Sequence, residues 1–139
     1  MRKHTPISSI MTKTIIGLTL EDDLKRAEML FNRHRIKHIP VVSDEAIIGM
    51  ISYTDLMRIS IPERIDGDNY SLNSVVPNNF TIEQVMQKDI VTVTPETSIK
   101  DVALILANKA FHSLPIVKDG CLLGIVTTRD LLNYFIREC

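Results

Sequence analysis

The chain has 139 residues, 16 Lys+Arg against 17 Asp+Glu for a formal net charge of −1, and a 45% hydrophobic composition. That describes one globular domain, or two small repeats sharing a core, and it excludes a catalytic barrel of roughly 250 residues. The balanced charge offers no broad positive field to nucleic acid or to an anionic membrane. No secretory signal and no run of about 18 apolar residues is present, so a cytoplasmic protein with neither partner is expected.

In chain order, Pro6–Met11 reads as a short helical start and Ile15–Thr19 as a strand. Asp22-Asp23 then supply capping oxygens to a helix whose apolar residues Leu24, Ala27, Leu30 and Phe31 recur at three- and four-residue steps. Strands at Ile39–Val42 and Ile47–Ile51 flank an acidic turn, and a last helix opens near Ser52 with Leu56 and Met57 on its apolar side. Arg58–Asn79, with Pro62, Gly67, Pro77 and the polar run Asp66-Gly67-Asp68-Asn69, reads as a linker or surface loop.

The order then repeats. Thr81 and Gln84 have capping-box spacing in a short helical start, Ile90–Thr94 is a strand, and Thr97-Ser98 cap a helix bearing Ile99, Val102, Leu106 and Ala110. Strands Leu114–Val117 and Leu122–Val126 are joined by Asp119-Gly120, a hairpin signal. The final helix opens near Thr127 with Leu131, Leu132, Phe135 and Ile136 on its apolar side. Laid on 86–132 without a gap, 11–57 shows 12 identities in 47 positions, among them Met11/Met86, Gly49/Gly124 and Asp55/Asp130. Ordinary residue abundances give about three. The boundaries that follow are 1–60, a linker or loop at 61–80, and 81–139.

The most informative segments open the last helix of each copy. Gly49-Met50-Ile51-Ser52-Tyr53-Thr54-Asp55 and Gly124-Ile125-Val126-Thr127-Thr128-Arg129-Asp130 both read G-h-h-[S/T]-x-x-D, where h is apolar. Hydroxyl and carboxylate then stand beside a helix N-terminus whose free N–H groups favour anions. A carboxylate accepts hydrogen bonds from two adjacent hydroxyls, which suits a ribose diol, and the N–H groups suit a phosphate. The same spacing is also an ordinary capping box, so a purely structural role stands beside the ligand role.

Preceding these are Ile36-Lys37-His38-Ile39-Pro40-Val41-Val42 and Phe111-His112-Ser113-Leu114-Pro115-Ile116-Val117. Together the tandem segments resemble the cystathionine-β-synthase (CBS) domain pair, or Bateman module, from Met11 to about Ile136. The resemblance implies an α/β module of α+β type, in which tandem β-α-β-β-α repeats pack sheet to sheet with pseudo-twofold symmetry. It implies AMP, ADP, ATP or another adenosyl ligand such as S-adenosylmethionine in inter-repeat clefts, with the binding signal passed to a regulated protein. Carried over by residue, Asp55 and Asp130 match the ribose carboxylates, and Ser52 and Thr127 the hydroxyls on ribose or phosphate. Lys37 and His112 fall where one member presents phosphate-contacting histidines, with His38 and Ser113 their neighbours. Ile15, Ile16, Ile90, Val91, Ile39 and Leu114 match the segments that hold adenine. Arg129 adds a charge where the first copy has Thr54, which favours the Asp130 site for phosphorylated ligands.

No catalytic constellation is legible. Cys121 and Cys139 lack metal-ligand spacing and read as free thiols, the six methionines read as apolar filler, and no P-loop or dinucleotide fingerprint occurs. No catalytic cofactor or metal is therefore expected. The alternative to a nucleotide-binding regulatory module is a constitutive dimerisation or scaffold module with empty clefts. Apolar residues on the last helix point to a homodimer in either case.

Overall fold

The computed structural model describes residues 4–65, 69–75, 79–109 and 112–139. Met1–Lys3, Asp66–Asp68, Pro77, Ala110 and Phe111, all used in reading the sequence, lie outside the described residues. Among the described residues five α-helices and six strands follow one another as α1 (Leu24–His34), β1 (His38–Ser43), β2 (Ala46–Ser52), α2 (Tyr53–Ile59), β3 (Ile61–Ile65), β4 (Asn69–Val75), α3 (Ile82–Val85), α4 (Ile99–Lys109), β5 (Ser113–Lys118), β6 (Cys121–Thr127) and α5 (Thr128–Glu138). Each pair β1–β2, β3–β4 and β5–β6 is a separate antiparallel two-stranded sheet. The chain is thus a mixed α+β protein. Among the described residues no helix is long and apolar enough to cross a membrane.

Local chemistry explains most of these elements. Asp23 accepts from the Arg26 N–H at 2.9 Å and caps α1, whose buried face is Leu24, Ala27, Leu30 and Phe31 as the periodicity requires. Ser98 accepts from the Asp101 N–H at 3.1 Å at the start of α4. Thr81 and Gln84 complete the reciprocal capping box of α3. Between β5 and β6, Asp119 and Gly120 have φ of 52° and 79°, the doubly left-handed turn that matches strand twist in a two-residue hairpin. Just before it, Lys118 pairs with Glu96; the shared hydrogen bond holds the Glu96 carboxyl below its ordinary range and raises the Lys118 ammonium, both exposed.

Three expectations are corrected. Ile15–Thr19 and Ile90–Thr94 form no strands; each touches its hairpin at a single parallel bridge, Leu18 to Val41 and Val93 to Ile116. The next residue is diverted into a turn, because the Thr19 N–H donates to the Asp22 carboxylate at 2.8 Å and the Thr94 N–H to the Thr97 hydroxyl at 3.1 Å. Arg58–Asn79 is no plain loop, since α2 runs to Ile59 and β3 pairs with β4. Alternating apolar residues on either side of an Asp-Gly dipeptide carry that signal. On α5 the inward residues are Leu131 and Tyr134, whereas Leu132 and Ile136 are 56% and 72% exposed.

The chain divides into two compact units, Met1–Ile15 with Val91–Cys139 and Ile16–Ile90. Each repeat therefore lends its leading segment to the core of the other. In the first unit Ile7 is fully buried among Val93, Ile99, Val102, Leu114 and Leu131, and Thr12 exchanges two main-chain hydrogen bonds with Ile125 on β6. In the second, its repeat equivalent Ile82 is fully buried among Leu24, Phe31, Ile39 and Leu56, and Gln87 exchanges two with Met50 on β2.

This exchange gives a reason for two of the repeat identities. A Cβ on Gly124 would stand 2.8 Å from Met11 Sδ and 2.9 Å from the Thr12 carbonyl oxygen, and a Cβ on Gly49 would run into the Met86 side chain. Gly124→Ala is expected to lower stability by about 1–3 kcal/mol in urea unfolding, because the Thr12 carbonyl is fixed by the Ile125 N–H and cannot retreat. Gly49→Ala meets only a flexible side chain, so adding Met86→Ala should cost less than the two single losses summed. An additive double variant would contradict this packing.

Candidate functional site

The β1–β2 and β5–β6 hairpins each end in an extended residue that caps the helix after it. Ser52 (φ −98°, ψ 152°) accepts from the Asp55 N–H at 3.0 Å, and Thr127 (φ −115°, ψ 164°) from the Asp130 N–H at 3.1 Å. The first N–H of each helix is taken by a carbonyl from the segment before the hairpin, Tyr53 donating to Lys37 at 2.8 Å and Thr128 to His112 at 3.0 Å. Antiparallel register enforces this, since His38 lies opposite Ser52 and Ser113 opposite Thr127. Four residues singled out in each copy, Lys37, His38, Ser52 and Asp55 or His112, Ser113, Thr127 and Asp130, thus gather at one strand-to-helix junction per unit.

The two junctions differ in their charged groups. The Lys37 ammonium lies 4.4 Å from the Tyr53 ring centroid, a cation–π contact, and Tyr53 meets Phe31 edge-on at 5.7 Å. Its side chain is therefore engaged within the junction. His112 and Arg129 are exposed, and Arg129, the second residue of α5, has no ion pair among the described residues.

The carboxylates differ more. Asp130 Oδ2 accepts from the Thr127 N–H at 2.9 Å, completing a capping box, and from the Thr12 hydroxyl at 3.4 Å; Oδ1 has no partner among the described residues. Asp55 makes no capping box. Its Oδ1 accepts from Arg58 Nη1 at 3.0 Å and its Oδ2 from Gln87 Nε2 at 3.3 Å. Thr12, Gln87 and Arg58 were not legible as site residues. Thr12 and Gln87 are equivalent in the repeat register and adjoin the Met11/Met86 identity, which is the signal that points to them.

Of the apolar residues matched to adenine, Ile39 and Leu114 are 0% and 1% exposed, so they offer a ligand main chain rather than side chain. Ile15, Ile16 and Ile90 are half-buried and Val91 is exposed. Among the described residues no group of three or more His, Cys, Asp or Glu side chains is placed to hold a metal.

The CBS domain model matches residues 7–61 and 82–137. The uncharacterized protein MJ1225 of Methanocaldococcus jannaschii is 26% identical over 136 residues, 93% of this chain and 46% of that protein. The chain spans less than half the length of the first curated relatives it matches, 46%, 32% and 24%. Among solved structures, the CBS domain pair of protein MJ0100, in complex with 5′-methylthioadenosine and S-adenosyl-L-methionine, has a TM-score of 0.77 at 21% identity, covering 97% of this chain and 98% of that one. CBSX2 in complex with AMP has a TM-score of 0.76 at 20% identity, covering 95% and 97%. At these identities the likeness is one of fold.

Proposed function

Because the chain belongs to the CBS domain family, we propose that it is a regulatory binding module for an adenosine nucleotide of the AMP, ADP or ATP type, working in the cytoplasm and read by a regulated protein. The observation that carries this reading is the Asp130 carboxylate, held at the start of α5, with Oδ1 unpartnered and Arg129 beside it unpaired among the described residues. A ribose diol donates to the carboxylate, and a phosphate meets Arg129 and the positive end of an 11-residue helix. S-Adenosyl-L-methionine and 5′-methylthioadenosine in the MJ0100 pair and AMP in CBSX2 support an adenosyl ligand. Binding regulates only through different affinities for two arrangements of the protein, so the reading requires a second, ligand-biased state. Leu132 and Ile136, exposed one turn apart on α5, support a second copy of the chain as partner.

The scaffold reading retains one observation in its favour, the complete Thr127–Asp130 capping box, which gives that carboxylate a structural task without a ligand. Titration calorimetry against AMP, ADP, ATP, S-adenosylmethionine and GMP at defined Mg²⁺ separates the two. Saturable adenosyl binding that is lost in the Asp55→Ala/Asp130→Ala chain is expected; silence to millimolar ligand leaves the scaffold.

A further inference from the structure

We infer that Asp130 alone receives the nucleotide's diol and that Arg58 and Gln87 close Asp55 to it, so that one chain binds one nucleotide. This rests on the nucleotide reading above and decides how many of its two sites are used. A vicinal diol needs two acceptor positions on one carboxylate. Both oxygens of Asp55 already accept, one from a guanidinium at 3.0 Å and one from a carboxamide at 3.3 Å, and the side chain is only 12% exposed. Its charge is matched where it stands, and with one donor already on each oxygen an incoming diol has to share both oxygens with the clamp, whereas Asp130 carries its two donors on Oδ2.

The other copy lacks both clamp residues. In the repeat register Arg58 stands where the second copy has Asn133, and Gln87 where the first has Thr12. Asn133 is exposed and brings no cation to Asp130, which has no ion pair among the described residues, and the Thr12 hydroxyl reaches only Oδ2, at a long 3.4 Å. The cation beside the carboxylate is placed the other way round, with Arg129, unpaired among the described residues, next to Asp130 and Thr54 next to Asp55. Charge for a phosphate and an open oxygen for a diol thus coincide at one junction, and the ion-paired carboxylate lies at the other.

Counting AMP bound per chain by titration calorimetry tests this. One AMP is expected for the unsubstituted chain and two for Arg58→Ala/Gln87→Ala. Asn133→Arg, which installs the guanidinium three residues after Asp130, should weaken AMP at least tenfold with an unchanged urea midpoint. Two AMP per unsubstituted chain, one after the clamp is removed, or full affinity in Asn133→Arg each overturns the inference while leaving nucleotide binding intact. No AMP bound by any of these chains overturns the nucleotide reading and the inference together.

Discussion

Asp130→Ala is expected to weaken AMP binding at least a hundredfold while lowering stability by about 0.5–2 kcal/mol, the ordinary loss for a helix cap. The two magnitudes come from different interactions. Hydrogen bonds to a charged group contribute about 1.5–3 kcal/mol each, and the diol makes two, enough for two decades of affinity or more. The stability loss is that of a capping-box member and a negative charge in the first turn of α5. Asp130→Asn separates the roles. Its carboxamide oxygen still accepts from the Thr127 N–H, so the cap survives, but it has one acceptor oxygen and no charge for the diol. Calorimetry with AMP should find it nearly as impaired as the alanine variant, while urea unfolding finds it close to the unsubstituted chain. An Asp130→Asn chain that binds AMP normally would make the carboxylate a cap and nothing more.

Asp130 and Asp55 could be located in the sequence because the repeat fixes both positions at once: a single [S/T]-x-x-D is a common cap, and only its recurrence at the same place in the second copy sets these two apart. The β1–β2 and β5–β6 hairpins and the buried faces of α1 and α4 were legible because period-2 and period-3.6 patterns are local. What the sequence hid depends on distant or competing interactions. Thr19 and Thr94 are β-branched and read as strand, but their N–H groups go to side chains three residues on, a competition that propensity does not weigh. Likewise, nothing local to Pro6–Thr12 or to Thr81–Gln87 announces that each packs with the opposite copy. The clamp lay just outside reach. Arg58 opposite Asn133 is one step beyond the aligned 11–57 window, and its partner Gln87 joins Asp55 only through the exchanged segment.

That exchange has a large energetic consequence. Ile7 lies on a three-residue 3₁₀ turn, yet it is fully buried, as is its equivalent Ile82. Ile7→Ala and Ile82→Ala should each cost about 2–5 kcal/mol in urea unfolding, the loss for truncating a core aliphatic side chain whose surroundings relax only in part. Lys13→Ala, exposed on the same leading segment as Ile7, should stay within about 0.5 kcal/mol. Losses at both isoleucines no larger than those of an exposed surface substitution, about 0.5 kcal/mol, would mean that the leading segments are loose arms rather than core.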